Sequence, residues 1–288
     1  MTQVRQWRVR VDRGVWLAGD ERGHPDAPTI VLVHGAASNR RWWDPVAALL
    51  ATDHRVVRYD HRGHGGSTSP TDGYTVRQLA ADAVAVLERR GLGPVVLAGH
   101  SAGADVALTV AATRADLVCA LAGVEGGMYD PQLLHGPVWS QARERMLTNR
   151  RGRTTTAVLR AWLHAQALPD QALPSLVANY VHGGDGRLHL RLAAAHEEQL
   201  AASLWAHAPT RLLAAVPAPV LAVAAVIGSE REDQPRRESL RRARQVLPDR
   251  LDVRWVPGGH HLPLQQPAAV ADALADLAAS TAPARSLA

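Results

Sequence analysis

The stretch of sequence that decides the fold is PVVLAGHSAG, residues 94–103. It begins with the short apolar run Pro94–Ala98, which is typical of a buried parallel strand, and a helix is expected from Ala102. Between them lies a Gly-x-Ser-x-Gly motif centred on Ser101. Small residues beside the serine fit a sharp strand-to-helix turn, because such a turn brings backbone segments close together. The turn would raise the Ser101 hydroxyl above the sheet edge and direct the first N–H groups of the helix toward an anion beside it.

Strand-like and helix-like segments alternate on both sides of this turn. The segments Val4–Val11 and Val15–Ala18 predict an N-terminal hairpin. Strand-like runs and helix-like stretches then follow in the order Ile30–His34, Asn39–Leu50, His54–Tyr59, Thr75–Arg90, Pro94–Ala98, Ala102–Arg114 and Leu117–Val124. The alternation resumes later with Pro219–Val226, Pro235–Leu247, Leu251–Val256 and Pro267–Ala279. This order predicts a parallel sheet covered by helices on both faces.

Residues 126–215 interrupt the alternation. Their composition is helical, and strand-like residues are limited to a weak segment, Arg187–Leu192. We therefore expect an α/β fold with a doubly wound, mostly parallel sheet formed by residues 1–125 and 216–288. A helical cap is expected to be inserted into this core at residues 126–215, where it would cover the carboxyl edge of the sheet.

Composition excludes several classes of protein. Hydrophobic residues make up 47% of the 288 residues and charged residues 20%, which excludes a disordered chain. No apolar run approaches the roughly 18 residues that a membrane span needs, and the polar residues 1–10 do not resemble a signal peptide. The single cysteine, Cys119, cannot form an intrachain disulfide, which fits a reducing cytoplasm. We expect a cytoplasmic monomer or homodimer with no membrane partner.

The charge pattern does not favour nucleic-acid binding. All 32 basic residues are arginine, and the net charge is +5. The clusters Arg150–Arg153 and Arg236–Arg244 could contact phosphate, but four acidic residues between positions 230 and 238 interleave with the second cluster. We interpret both clusters as solvated helix faces and expect no nucleic-acid partner.

A pair of histidines follows the last predicted strand. A serine hydroxyl is a weak nucleophile until a base removes its proton. The segment PGGHH, residues 257–261, would lie at the same sheet edge as Ser101, so either His260 or His261 could act as that base. The 14 histidines include no His-Glu-x-x-His, Cys119 has no partner cysteine, and no dinucleotide or phosphate loop is present. We therefore expect no metal and no cofactor.

These residues resemble the α/β-hydrolase family over roughly residues 29–126 and 219–279. The resemblance rests on four motifs in the family's order: HGA at 34–36, DHRGHGGS at 60–67, the turn around Ser101, and GGH at 258–260 followed by Gln266-Pro267. It implies that Ser101 is the nucleophile and that His260 is the general base and then the general acid. It also implies an oxyanion hole formed by the backbone N–H groups of Ala36 and Ala102. His34 and residues 60–67 are interpreted as structural.

Two carboxylates compete for the third position of the triad. Asp233 follows the strand Pro219–Val226, where the family usually carries its acid, but the spacing departs from the family's pattern. Glu125 ends the preceding strand, 24 residues after Ser101, at an alternative site that some branches of the family use. Pairing with a histidine imidazolium would account for a single carboxylate at the end of an apolar strand. We favour Glu125 and keep Asp233 as the alternative.

Five tryptophans are candidates for substrate contact. Trp42 and Trp43 follow the expected oxyanion loop, and three more lie in the expected cap, namely Trp139, Trp162 and Trp205. Together they favour an apolar, aromatic pocket. The expected function is hydrolysis of a carboxylic ester, thioester or lactone of a moderately hydrophobic small molecule through an acyl-enzyme. The alternatives are an acyltransferase or cyclase that uses the same triad, and a ligand-binding protein without catalysis.

Overall fold

Eleven strands form two sheets in the computed structural model, which describes residues 3–147, 153–229 and 233–281. The strands are β1 (Arg5–Asp12), β2 (Val15–Arg22), β3 (Thr29–Val33), β4 (Arg55–Tyr59), β5 (Val95–His100), β6 (Val118–Val124), β7 (Arg153–Thr154), β8 (Tyr180–His182), β9 (Leu188–Leu190), β10 (Val220–Val226) and β11 (Leu251–Pro257). The large sheet has the order β1-β2-β4-β3-β5-β6-β10-β11, and all its pairs are parallel except β1–β2 and β2–β4.

Twelve α-helices are found within the described residues. They are α1 (Asp44–Leu50), α2 (Val76–Arg89), α3 (Ala102–Thr113), α4 (Pro131–His135), α5 (Trp139–Leu147), α6 (Thr156–Ala165), α7 (Leu173–Val177), α8 (Ala194–Trp205), α9 (Pro209–Leu213), α10 (Gln234–Val246), α11 (Leu262–Gln265) and α12 (Pro267–Ser280). Short 3₁₀ turns occur at Arg40–Trp43, Ala115–Leu117 and Asp170–Ala172. No helix in the part of the chain that the structure describes has the length and apolar composition for a membrane crossing.

The large sheet separates two hydrophobic cores. On one face, apolar side chains of α2, α3 and α10 pack against the strands, and on the other face α1 and α12 do so. All six residues of the central strand β5 are buried, as expected for a parallel strand covered on both faces. The predicted α/β fold with a doubly wound, mostly parallel sheet is therefore confirmed, and so is the N-terminal hairpin of β1 and β2.

Residues 126–215 leave the sheet after β6 and return before β10. This insertion contains the helices α4 to α9 and also a small antiparallel sheet of order β7-β9-β8. The sequence had indicated only a strand near β9, where the weak strand-like segment extends over residues 187–192. The sequence did not indicate β7 or β8, which have only two and three residues. A third apolar cluster, which includes Trp42, Leu163 and Leu264, joins the insertion to the core. The division into core and cap domains stays a prediction, and residues 150–152 of the first arginine cluster lie outside the described residues.

Candidate active site

Ser101 lies on the sharp turn between β5 and α3. Its backbone has φ 53° and ψ −129°, a conformation that non-glycine residues adopt rarely and that tends to be found at functional sites. The Ser101 N–H donates to the Val124 carbonyl at 3.0 Å, so the turn is fastened to the neighbouring strand. A Cβ atom at Gly103 would overlap the backbone oxygens of Val33 and His34, and one at Gly99 would overlap the backbone of Gly103. The glycines of the motif are therefore required by close backbone contacts.

The loop after β11 brings His260 to this serine. The Nε2 atom of His260 lies 3.1 Å from Ser101 Oγ. Two hydrogen bonds hold this loop in place. His100 Nε2 donates to the His260 carbonyl at 2.7 Å, and Gly259 N–H donates to Gln265 Oε1 at 2.8 Å. Burial lowers the pKa of His100 to about 3, so this ring is neutral. The ring of His261 instead packs edge-on against the rings of Trp42 and Trp162, at 5.3 Å from each.

Glu125 lies behind the His260 ring. Its Oε2 atom is 3.6 Å from His260 Nδ1, whereas its Oε1 atom accepts hydrogen bonds from Ala225 N–H (2.6 Å), the Tyr129 hydroxyl (3.0 Å) and the Arg236 guanidinium. With three donors on Oε1, the other oxygen is left facing the histidine. Burial would raise the pKa of Glu125, but the neighbouring His260 ring and the Arg236 charge hold it below its usual range. The carboxylate is thus ionised and oriented.

Asp233 lies on the far side of Arg236 from this carboxylate. It is buried, its Oδ1 accepts from Arg236 Nη1 at 3.2 Å, and its Oδ2 has no hydrogen-bond partner among the described residues. Arg236 therefore bridges the two carboxylates that the sequence had left as alternatives, and only Glu125 reaches His260. Sequence reasoning missed the parts played by Arg236 and Tyr129, because an arginine within a charged helix gives no signal that it is buried.

The expected oxyanion loop lies against Ser101. A Cβ atom at Gly35 would be 3.0 Å from Ser101 Cβ and 3.4 Å from its Oγ, so the loop can approach this closely only with glycine there. The next residue, Ala36, lines a cavity together with Ser101. Ala102 is the first residue of α3, where backbone N–H groups have no partner within the helix. Both candidate oxyanion residues therefore flank the serine.

Three buried histidines hold this loop in place. His34 Nδ1 donates to the Gly35 carbonyl at 2.7 Å, and its Nε2 accepts from His61 N–H at 3.0 Å. His64 Nε2 accepts from Ala37 N–H at 3.2 Å. Burial lowers the pKa of His61 to about 3 and of His64 to about 4, and it lowers the pKa of His34 well below its usual value. These rings are neutral and support the loop through hydrogen bonds, as interpreted from the sequence.

Two cavities open onto Ser101 and His260. The first has a volume of about 370 Å³, and its walls include Trp42, Trp162 and Asn179. The second has a volume of about 280 Å³, and its lining includes Ala102 and Glu125. The insertion contributes walls to both cavities. Among residues 3–147, 153–229 and 233–281, no group of three or more His, Cys, Asp or Glu side chains is placed to hold a metal ion.

The structure corrects three of the five tryptophan expectations. Trp42 and Trp162 line the first cavity. Trp43, however, is fully buried in the core beside His100, with ring centroids 6.3 Å apart. Trp139 and Trp205 pack on each other at 5.8 Å, and neither lines either of the two cavities. The reason is physical: a large aromatic ring gains as much from packing inside a core as from lining a pocket.

The chain is similar to known proteins of the alpha/beta hydrolase family and to two curated relatives. The model of the alpha/beta hydrolase family matches residues 30–273. Among curated proteins, the chain is 43% identical over 93 residues to a probable oxidoreductase EphD of Mycobacterium tuberculosis, covering 31% of this chain and 16% of that protein. It is 32% identical over 146 residues to a putative carbamate hydrolase RutD of Klebsiella pneumoniae, covering 50% of this chain and 51% of that protein. The matched segments thus span about half or less of these relatives.

Solved structures share the fold over nearly the whole chain. An E-2-(acetamidomethylene)succinate hydrolase superimposes with a TM-score of 0.79 at 24% identity, covering 96% of this chain and 99% of that one. The thioesterase domain from the curacin biosynthetic pathway gives a TM-score of 0.76 at 18% identity, covering 95% and 99%. At these identities the likeness establishes a common fold, and the chemistry has to be argued from the site itself.

Proposed function

The chain belongs to the alpha/beta hydrolase family, and on that premise we propose that it is a serine hydrolase that works through an acyl-enzyme. The proposed substrate is a carboxylic ester, thioester or lactone of a moderately hydrophobic small molecule. The observation that carries this proposal is the 3.1 Å approach of His260 Nε2 to the Ser101 hydroxyl on a strained turn. An ionised carboxylate, Glu125, faces the other nitrogen of the same ring at 3.6 Å.

Acylation follows from these positions. His260 Nε2 takes the Ser101 proton while Oγ attacks the substrate carbonyl carbon, and Glu125 stabilises the resulting imidazolium. The carbonyl oxygen becomes an oxyanion, and the N–H groups of Ala36 and Ala102 are the donors proposed to stabilise it. When the tetrahedral intermediate collapses, the bond to the leaving group breaks and His260 gives that group its proton. The acyl group remains on Ser101.

Deacylation repeats these reaction steps with water as the nucleophile. His260 removes a proton from a water molecule, whose oxygen attacks the acyl carbon, and the oxyanion forms again at the same donors. Collapse releases the carboxylic acid and returns the proton from His260 to Ser101. With an alcohol or amine in place of water, the same site would act as an acyltransferase, which is the alternative function considered from the sequence.

The two cavities fit a substrate whose acyl part and leaving group extend in different directions from Ser101. Because both cavities reach Ser101 and His260, a scissile carbonyl at the serine can place its acyl part in one cavity and its leaving group in the other. Trp42 and Trp162 give the first cavity an aromatic wall. This arrangement supports a moderately hydrophobic substrate on both sides of the cleaved bond.

A fluorophosphonate probe tests the nucleophile. We expect stoichiometric labelling of the wild type and none of Ser101→Ala, with Ser280→Ala as a matched control because Ser280 ends the distant helix α12. Mass spectrometry after a short incubation with p-nitrophenyl esters of increasing chain length should find the acyl group on the peptide that contains Ser101. Absence of both the label and the acyl adduct in the folded wild type would overturn the proposal and favour a ligand-binding protein. Product analysis with added alcohol or amine separates hydrolysis from transfer.

A further inference from the structure

Buried carboxylates in this chain pair with arginine, with one exception. Within the described residues, the buried acidic side chains are Asp20, Glu21, Asp60, Asp82, Asp105, Glu125 and Asp233. Six of these seven form an ion pair with at least one arginine. The exception is Asp105, whose ion-pairing neighbour is His207, with His207 Nε2 3.6 Å from Asp105 Oδ1. A buried carboxylate without a strong cation is costly, so this one calls for an explanation.

His207 does not supply the missing positive charge. Burial lowers the pKa of His207 to about 4, so the ring is neutral near pH 7. Within the part of the chain that the structure describes, its Nε2 atom has no hydrogen-bond partner, since 3.6 Å to Asp105 Oδ1 is too long for a good hydrogen bond. Burial raises the pKa of Asp105 to about 7, although the backbone N–H groups of Gly127 and of Asp105 itself favour the charged carboxylate. The carboxyl is therefore only partly satisfied by the protein.

Asp105 lies where a substrate can reach it. It follows Ser101 by one turn of α3, about 6 Å along the helix axis, and it lines the second cavity together with Ser101 and His260. The other charged pair in that cavity, Glu125 and Arg236, is satisfied internally. The remaining walls are largely apolar and include Pro131, Leu134, Leu204 and Ile227. Tyr129 and His135 are polar members of the same lining. A ligand there meets one carboxyl that has no arginine partner among the described residues, within largely apolar walls.

We propose that the second cavity binds an organic ammonium group of the substrate and that Asp105 is its counter-ion. This inference rests on the proposed function in so far as the ligand is the substrate: an ester or thioester with a basic nitrogen on a short aliphatic arm. The ammonium supplies the cation that arginine supplies to the other six carboxylates. A charge-assisted hydrogen bond in such a site favours the charged ligand over its neutral isostere by about 10- to 100-fold.

Matched pairs of esters measure this preference. On the acyl side, p-nitrophenyl 6-aminohexanoate is compared with p-nitrophenyl heptanoate, and on the alcohol side protonated 2-(dimethylamino)ethyl acetate is compared with 3-methylbutyl acetate. We expect the kcat/KM ratio of charged to neutral ester to be about 10 or more for one pair, depending on which arm enters the second cavity. In Asp105→Asn that ratio should fall to near 1. Asp276→Asn, an exposed aspartate on α12 at the opposite sheet edge, should keep the wild-type ratio.

Binding without turnover separates this inference from the proposed function. In Ser101→Ala, calorimetry with hexylamine and with 1-hexanol should show tighter binding of the amine, and Asp105→Asn in the same background should remove the difference. If no ester is cleaved yet hexylamine binding depends on Asp105, the proposed function fails and the ammonium site stands. If neither the ester ratios nor amine binding respond to Asp105→Asn, the ammonium site is refuted. Asp105→Ser replaces Asp105→Asn if the asparagine variant is not folded by circular dichroism.

Discussion

Replacement of Glu125 by glutamine should reduce turnover by two to three orders of magnitude. Three donors converge on Glu125 Oε1, so the amide oxygen of the glutamine would take that place and its NH₂ group would face His260 Nδ1. A donor there forces the neutral ring to carry its proton on Nε2, where it can no longer accept the Ser101 proton. The substitution also removes the charge that stabilises the imidazolium during the reaction.

The size of the effect follows from the geometry. Two unit charges about 4 Å apart interact by about 4 kcal/mol at an effective dielectric constant of about 20, and each 1.36 kcal/mol is about tenfold in rate. The Glu125–His260 separation is 3.6 Å, but the His260 side chain is 48% exposed, so solvent screening reduces the energy. We therefore expect kcat for a p-nitrophenyl ester to fall by about 100- to 1000-fold, with circular dichroism unchanged.

Asp233→Asn is the matched control for this prediction. Asp233 touches Arg236 and acts on His260 only through it, so the loss in kcat should be smaller than about tenfold. The opposite pattern, a large loss in Asp233→Asn and a small one in Glu125→Gln, would refute the assignment of Glu125 as the triad acid.

Two further predictions concern charge and burial around the site. Because the Arg236 charge helps to lower the pKa of Glu125, Arg236→Met should raise that pKa, whereas Arg237→Met should not, since that arginine stacks on Trp255. NMR titration of 13C-labelled glutamate carboxyl groups measures the change, and an unaltered Glu125 pKa in Arg236→Met would disprove the role of that charge. In the folded protein burial lowers the pKa of His64 to about 4, whereas the ordinary value is near 6.5. The neutral ring therefore contributes fully to stability above about pH 6.5, and this contribution is lost as the pH falls toward 4. Urea denaturation of His64→Gln, which keeps a donor and an acceptor, should therefore show a weaker fall in unfolding free energy over this range; an unchanged slope would contradict the burial of a neutral ring.

The fold and the proximity of Ser101 to His260 could be predicted from local features of the sequence. Gly99 is needed because its backbone lies against that of Gly103, one turn away, and His260 comes three residues after the last strand. Such short-range constraints are visible in a single sequence. The alternation of apolar runs and helical stretches likewise predicts the parallel sheet without knowledge of long-range contacts.

The remaining features depend on contacts between distant segments. Glu125 and Asp233 are both buried acids that follow strands, and only the tertiary structure shows that Glu125 faces His260 while Arg236 contacts both carboxylates. The sequence also does not distinguish the fully buried Trp43 from Trp42, which lines the first cavity. The two residues are neighbours in a 3₁₀ turn that directs their side chains to different parts of the protein. Burial of this kind is a property of the assembled tertiary structure.

Ser101 and Glu125 occupy equivalent places on adjacent strands, and this has a consequence for engineering. Each has φ 53°, and each follows a residue of the register pair His100 and Val124. Their separation is therefore set by the spacing between hydrogen-bonded strands, about 4.8 Å, and is independent of the ninety or so residues that come after. Chimeras that replace residues 131–215 with the corresponding segment of another protein keep Tyr129 and its hydrogen bond to Glu125, so both groups should stay aligned. This makes the scaffold a convenient host for transplanting substrate preference.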